Sequence, residues 1–348
     1  MATEKECAAI AALLDSRHRP PRHQGPTQTQ TYIPPTGWTP LPGAQDANNA
    51  DTPTAGCTAH PFVHPRGDCL IAVHASLQFQ HAIHISTNGE EFLSNLALDI
   101  GLTAFAEPLL DITRVYLQAR RWAQSQGLDP ARITFTGHGV GGGLAAVMAV
   151  WFDQPAIVFA QAPLRAVALT PGDFAAVQHE VASAVPPLGS MDPAVQALAT
   201  FIRAPKERLR ERAARRVAHW HVQGEVLYPL RSGATAILGT EHVIDAGMQA
   251  GSIDEAIALH DVRLLAALLY DPRLPTLCQT SPDLLPLLID REDSGLIDSL
   301  LADQLSVGLE RDSALQRFVT GLMAPTSDRD TPDLSEQRDP ENGAIALD

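Results

Sequence analysis

Hydrophobic and polar positions divide the chain into segments of different texture. Residues 3 to 15, TEKECAAIAALLD, carry apolar residues at helical spacing. Residues 20 to 55 are crowded with Pro, Gln, Thr, Asn and Gly and read as a long surface connection with little to bury. From Gly56 the period shortens. AGCTAHPFVH, a turn at Pro65 to Asp68, and CLIAVHA predict an antiparallel hairpin. LQFQHAIHIS alternates apolar and polar residues, as a further strand or an irregular edge would. EPLLDITRVYLQARRWAQSQGL returns to helical spacing, so a helix is predicted over 107–126 with Gly127 ending it. RITFTG then has the brevity and β-branching of a buried strand; after a glycine-rich turn come the helix GLAAVMAVWF and the strand PAIVFA. Strand, helix, strand, helix, strand predicts an α/β fold with a parallel sheet and helices on both faces.

Two or three helical segments across 172–216 precede the next strand, VAHWHVQG. An insertion there falls at the carboxyl edge of a parallel sheet, where ligands bind, and is expected to serve as a helical cap. TAILG and HVIDA are further strand candidates. IDEAIALHDVRLLAALLYD has a single helical pattern, opened by Ser252 and Glu255 as a capping box, and two more helices are expected near 283–302 and 306–323. The expected layout is an N-terminal helix and flexible connection over 1–55, one α/β domain over 56–323, and an acidic tail over 324–348 that reads as disordered.

Composition narrows the class. The chain has 348 residues, 45% apolar and 19% charged, which is ordinary for a soluble globular protein. A formal net charge of -15 repels nucleic acid and anionic membranes on average, so no nucleic-acid partner is expected and any membrane contact must be local. The sign reverses in RAPKERLRERAARR, residues 203–216, where Arg203, Lys206 and Arg210 are candidates to meet anionic head groups; a solvated helix paired with the acidic surface is the other reading. No stretch approaches the roughly 20 apolar residues of a spanning helix. The N-terminal segment has neither a positive leader nor a cleavage site, so a cytoplasmic location, or export without a recognisable signal peptide, is expected.

No metal and no cofactor is expected. Cys7, Cys57, Cys69 and Cys278 form no CxxC pair and read as free buried thiols, although Cys57 and Cys69 lie on neighbouring expected strands and could meet. His60, His64, His74, His81 and His84 cluster in sequence, but strand geometry scatters such spacings between two faces.

The chemistry concentrates in TFTGHGVGGGLAAVMAV, residues 134–150. A serine hydrolase's nucleophile sits on a tight strand-to-helix turn whose flanking residues must be small, because backbone and helix leave no room for side chains. Gly137 and Gly141 occupy the flanking places and Gly142 and Gly143 extend the small face, yet the nucleophile position is Gly139. Gly137, Gly139 and Gly142 also match the GxGxxG spacing of a dinucleotide loop, a lone match without an acidic ribose contact.

ARITFTGHGVGGGLAAVMAVWFDQPAIVF resembles the GHSLGG segment of class 3, fungal-lipase-like lipases and of related bacterial lipase-like domains. The resemblance runs from the hairpin to the helix near His260 and implies an α/β-hydrolase fold. It makes Glu225, in WHVQGEVLYPL, the candidate acid and His260, in IALHDVRLL, the candidate histidine, with Asp245 and Asp261 as other acids in reach. Order along the chain is then 139, Glu225, His260, as this fold requires. The resemblance also assigns the oxyanion hole and turn to Ser76, His138, Val140 and Gly141. The family's Arg-Gly-Thr-like tripeptide is here His74-Ala75-Ser76. With no hydroxyl at 139, the expectation is a lipase-like domain impaired in ester hydrolysis that binds a lipid or acyl ester. Two alternatives stay open: an active family member represented by a nucleophile-replaced sequence, and an interaction module of a larger exported protein.

Overall fold

The computed structural model describes residues 1–18, 34–42, 57–75, 105–129, 132–184, 192–231, 237–248, 250–281, 283–289, 295–307 and 313–323. Helix α1 (Glu4–His18) leads to a short strand β1 (Thr39–Pro40) and the hairpin β2 (Cys57–Val63) and β3 (Cys69–Ala75). The units α2 (Ala106–Ser125) and β4 (Ile133–His138), then α3 (Gly139–Phe152) and β5 (Ala156–Phe159), follow. Three helices, α4 (Pro171–Ala184), α5 (Pro193–Arg203) and α6 (Pro205–Arg216), fill the connection to β6 (Val217–Val222). After α7 (Tyr228–Arg231) and β7 (Thr240–Ile244) come α8 (Ile253–Leu259), α9 (Val262–Tyr270), α10 (Leu274–Thr280), α11 (Leu284–Ile289), α12 (Gly295–Val307) and α13 (Ala314–Met323).

Among the described residues seven strands form one sheet in sequential order, antiparallel from β1 to β3 and parallel from β3 to β7, while LQFQHAIHIS lies outside them. Sequential order has a consequence for the layers. Right-handed crossovers that always step in the same direction put their helices on the same face, and α2, α3 and α6 do pack together there, on β2 to β7. Among the described residues the other face is covered by helices from the two ends of the chain. Helix α1 lies on β3, β4 and β5 and against α9, which in turn packs on α12. Alternate strand residues serve the two layers: Ile71, Val73 and Phe135 point into the core with α2 and α3, while Leu70 and Ala72 point into the core with α1 and α9.

The sequence placed residues 3–15 ahead of the domain, but residues 6–15 of α1 are all buried. Its apolar positions run around much of the helix, and a helix of that kind is stable only inside a core. The insertion is present and helical as expected. Its packing is lateral: α4 on α2, α5 on α3 and α4, and α6 on α3. Buried Arg212 of α6 donates to the carbonyls of Val150, Trp151 and Ala197, placing a cation at the carboxyl end of α3 where the helix dipole favours it. TAILG is corrected: residues 237–239 are irregular and the strand starts at Thr240. Gly239 has φ of 109°, and a Cβ there would lie 2.4 Å from the Val217 carbonyl oxygen, so the chain bends before it can pair. Cys57 and Cys69 do not meet: they pair with Ala75 and Val63 at opposite ends of the hairpin, and all four thiols are free and buried.

Candidate active site

Strand β4 runs directly into α3 through Gly139, whose φ of 57° makes the reversal. The glycines around it are there for lack of space. A Cβ on Gly137 would lie 2.7 Å from the Gly141 and Val73 carbonyl oxygens, and one on Gly141 would lie 2.3 Å from the Val73 oxygen. Position 139 differs. Among the described residues, and apart from the backbone of the turn and helix themselves, a Cβ there meets one atom within 4 Å, His260 Nε2 at 3.6 Å. The Ala162 N–H donates to the Gly139 carbonyl at 2.8 Å and fixes the turn from the β5 side.

Glu225 follows β6 on a turn opened by Gly224 at φ 81°, and its side chain is fully buried. Its Oε2 accepts from the Leu227 N–H at 3.0 Å and from His260 Nδ1 at 2.6 Å. A second link joins the same two segments, since the Val226 N–H donates to the Ala256 carbonyl of α8 at 3.0 Å. The segment that reads as one helical pattern is two helices. Ser252 and Glu255 form the capping box of α8, His260 is its carboxyl cap, and Asp261 caps the start of α9 by accepting from the Arg263 N–H. His260 therefore sits at a break, where its side chain can turn toward β4 and its carbonyl has left the helical ladder.

That carbonyl is taken by His138. His138 Nε2 lies 2.8 Å from the His260 oxygen, and the two rings are 4.5 Å apart. A carbonyl only accepts, so the neutral His138 ring carries its proton on Nε2. Burial, with the neighbouring His260 charge, pushes the His138 pKa down to about 4, against the pull of Asp15, Asp261 and the carbonyl bond, so the ring stays neutral at ordinary pH. The resemblance had assigned His138 to the turn; its hold on His260 was not legible, because the contact spans 122 residues.

The structure thus brings Gly139, Glu225, His260 and His138 together, with Val140 and Gly141 opening α3. The end of β3 is adjacent, because a Cβ on Gly141 would be 3.3 Å from the Ala75 N. Ser76, the assigned oxyanion residue, lies outside the described residues, as do His81 and His84. The other acids are engaged elsewhere: Asp245 accepts from the Gly247 N–H in an exposed turn, and Asp261 pairs with Arg263 at 2.6 Å. His60 bonds Thr58, His64 packs edge-on to Trp38, and among the described residues no group of three metal-binding side chains stands together.

A buried strand, a tight glycine turn and a helix, then an acid after β6 and a histidine after β7, follow the plan of the α/β-hydrolases, and the chain has that fold. Its relationship is lipase-like. Residues 104–269, just under half of the chain, match the phospholipase-like family described as the Tle-like phospholipase domain, and this stretch holds Gly139, Glu225 and His260. No curated protein matches the chain. Among solved structures, the acetyl ester-xyloside bifunctional hydrolase of Caldicellulosiruptor lactoaceticus is similar at 15% identity and a TM-score of 0.23, over 50% of this chain and 64% of that one. EstE5, whose crystal was soaked with p-nitrophenyl butyrate, is similar at 13% identity and a TM-score of 0.27, over 79% of this chain and 98% of that one. At those scores the fold rests on the topology above and not on these neighbours.

Proposed function

We propose that the chain is a phospholipase-like acyl-ester-binding domain whose acid–histidine pair is assembled and whose nucleophile is missing, so that it hydrolyses esters poorly as written. The observation that carries this reading is the line from the Glu225 carboxylate through His260 Nδ1, at 2.6 Å, to His260 Nε2, which faces the Cβ position of residue 139 at 3.6 Å. In a working triad the histidine takes the hydroxyl proton, the carboxylate holds its tautomer and steadies the imidazolium, and backbone N–H groups receive the oxyanion. His260 and Glu225 fill the first two roles in this reading, and the Val140 N–H the third. Gly139 has no oxygen to contribute.

The test is hydrolysis of a chain-length series of p-nitrophenyl esters and of a phospholipid by the chain and by Gly139→Ser. The serine variant should exceed the parent by about 10³-fold or more, and removing His260 from that variant should abolish the gain. A serine variant no faster than the parent would overturn the reading. The lipid side of the proposal adds a surface. Arg203, Lys206 and Arg210 are exposed on α5 and α6 beside Ile202, which is half exposed, and these residues form the patch that meets anionic head groups.

A further inference from the structure

Position 139 has lost its nucleophile, but the base that would serve it is intact. Glu225 is a carboxylate acceptor, so the His260 proton shared with it resides on Nδ1, and in the neutral ring Nε2 keeps its lone pair. Nε2 faces the turn: among the described residues, and apart from the backbone of the turn and helix themselves, it is the one atom within 4 Å of a Cβ built on Gly139, at 3.6 Å. An oxygen placed one bond further on can come within hydrogen-bond distance of Nε2. No flanking glycine offers such room, since a Cβ on Gly137, Gly141, Gly142 or Gly143 would approach other atoms to within 3 Å. The neighbouring histidine does not compete, because His138 Nε2 is committed to the His260 carbonyl.

Building on the reading of the site as an acyl-ester site, we infer that a small external oxygen nucleophile, water or a short alcohol, takes the place of the missing hydroxyl and is deprotonated by His260. The step is a direct displacement. The nucleophile's oxygen bonds to the ester carbonyl carbon as its proton passes to Nε2. The tetrahedral intermediate then collapses, breaking the bond to the alkoxide, which leaves with the proton returned by His260. Water yields the carboxylic acid, methanol yields the methyl ester, and no acyl group is ever attached to the protein. Glu225 holds the imidazole in place and stabilises its transient charge. Gly139 thereby changes the nucleophile from an internal to an external one and leaves the base in use.

The experiment uses the full chain with p-nitrophenyl butyrate in water and in graded methanol, beside His260→Ala, Glu225→Gln and Gly139→Ser, with the thermal unfolding of each variant recorded. The parent should turn over at least tenfold faster than both His260→Ala and the isosteric Glu225→Gln. Methyl butyrate should appear in proportion to methanol, and intact-mass measurement should find no butyryl adduct on the parent. Parent and His260→Ala rates that coincide while Gly139→Ser is active would overturn the inference and leave the proposed function standing. An inactive Gly139→Ser would overturn the proposed function itself. A butyryl adduct on the parent would also overturn the inference, because it requires a nucleophile within the protein.

Discussion

Glycines 137, 139, 141 and 142 look alike in sequence and are constrained differently. At Gly141 the backbone of β3 stands where a side chain would be, with the Val73 oxygen 2.3 Å from an added Cβ, and neither backbone can retreat without breaking the pairing of β3 with β4. Gly141→Ala should therefore cost about 1–3 kcal/mol or more. Gly172 is the comparison: an added Cβ in α4 meets nothing within 4 Å and its φ is ordinary, so Gly172→Ala should be neutral or stabilise by up to about 1 kcal/mol. Urea unfolding of both variants checks the pair, and equal costs would mean that the elbow is looser than its geometry. Among these four glycines Gly139 alone has open space for a side chain, on the His260 side, so serine can be placed there in a functional test at the cost of the strain that its φ of 57° imposes on any residue but glycine.

Among the elements, the insertion is held by a few buried or half-buried ion pairs. Asp192 caps α5 through the Ala194 N–H and receives Arg120 of α2 in a bidentate pair at 2.8 and 2.9 Å, while Asp153, after α3, receives Arg215 and Arg216 of α6. Burial by itself would raise both carboxyl pKa values, but the arginines, and for Asp192 the cap as well, outweigh it and both are lowered. Folded values below the unfolded ones mean that the stabilisation is complete above the unfolded carboxyl pKa of about 3.9 and is lost as pH falls through the folded values. Acid should therefore loosen the attachment of α5 and α6. Amide exchange followed from pH 5 down to pH 2 should show protection in 193–216 held above about pH 3.9 and lost below it; protection unchanged across that range would count against it.

At the scale of the molecule, a chain of net charge -15 carries a cationic strip on α5 and α6. Much of that strip is used internally: Arg212 serves the end of α3, Arg215 and Arg216 serve Asp153, and Arg208 pairs with Glu211. Exposed Arg203, Lys206 and Arg210 are what is left for an anionic surface. Each basic residue near such a surface contributes about 1 kcal/mol. Replacing all three with glutamate should weaken co-sedimentation with vesicles rich in phosphatidylserine by at least about 10²-fold, and added salt should weaken the parent in the same direction. Equal binding of parent and variant would remove the surface from the proposal. Among the described residues no helix is long and apolar enough to cross a membrane.

How much was legible in the sequence follows from the range of the interactions. The strands β2 to β6, the helices α2 and α3, the capping box at Ser252 and the small residues of the elbow are set by neighbours a few positions away, and periodicity and glycine spacing record them directly. Glu225 and His260 were legible only through a resemblance, since nothing local to either residue requires the other. The break between α8 and α9 was hidden inside one continuous apolar pattern. It is marked by Asp261 capping α9 and by the His260 carbonyl, which accepts from His138 Nε2, 122 residues away. The burial of α1 and the lateral packing of α4 to α6 were likewise out of sight. A sequential strand order puts the crossover helices on one face and leaves the other to the chain's ends, and strand order is a property of the assembled sheet. By itself, then, the sequence determined most of the elements and a glycine-rich strand-to-helix turn with Gly139 at its apex; only the tertiary structure decided that Nε2 of His260 faces the Cβ position of residue 139, because that contact depends on long-range packing.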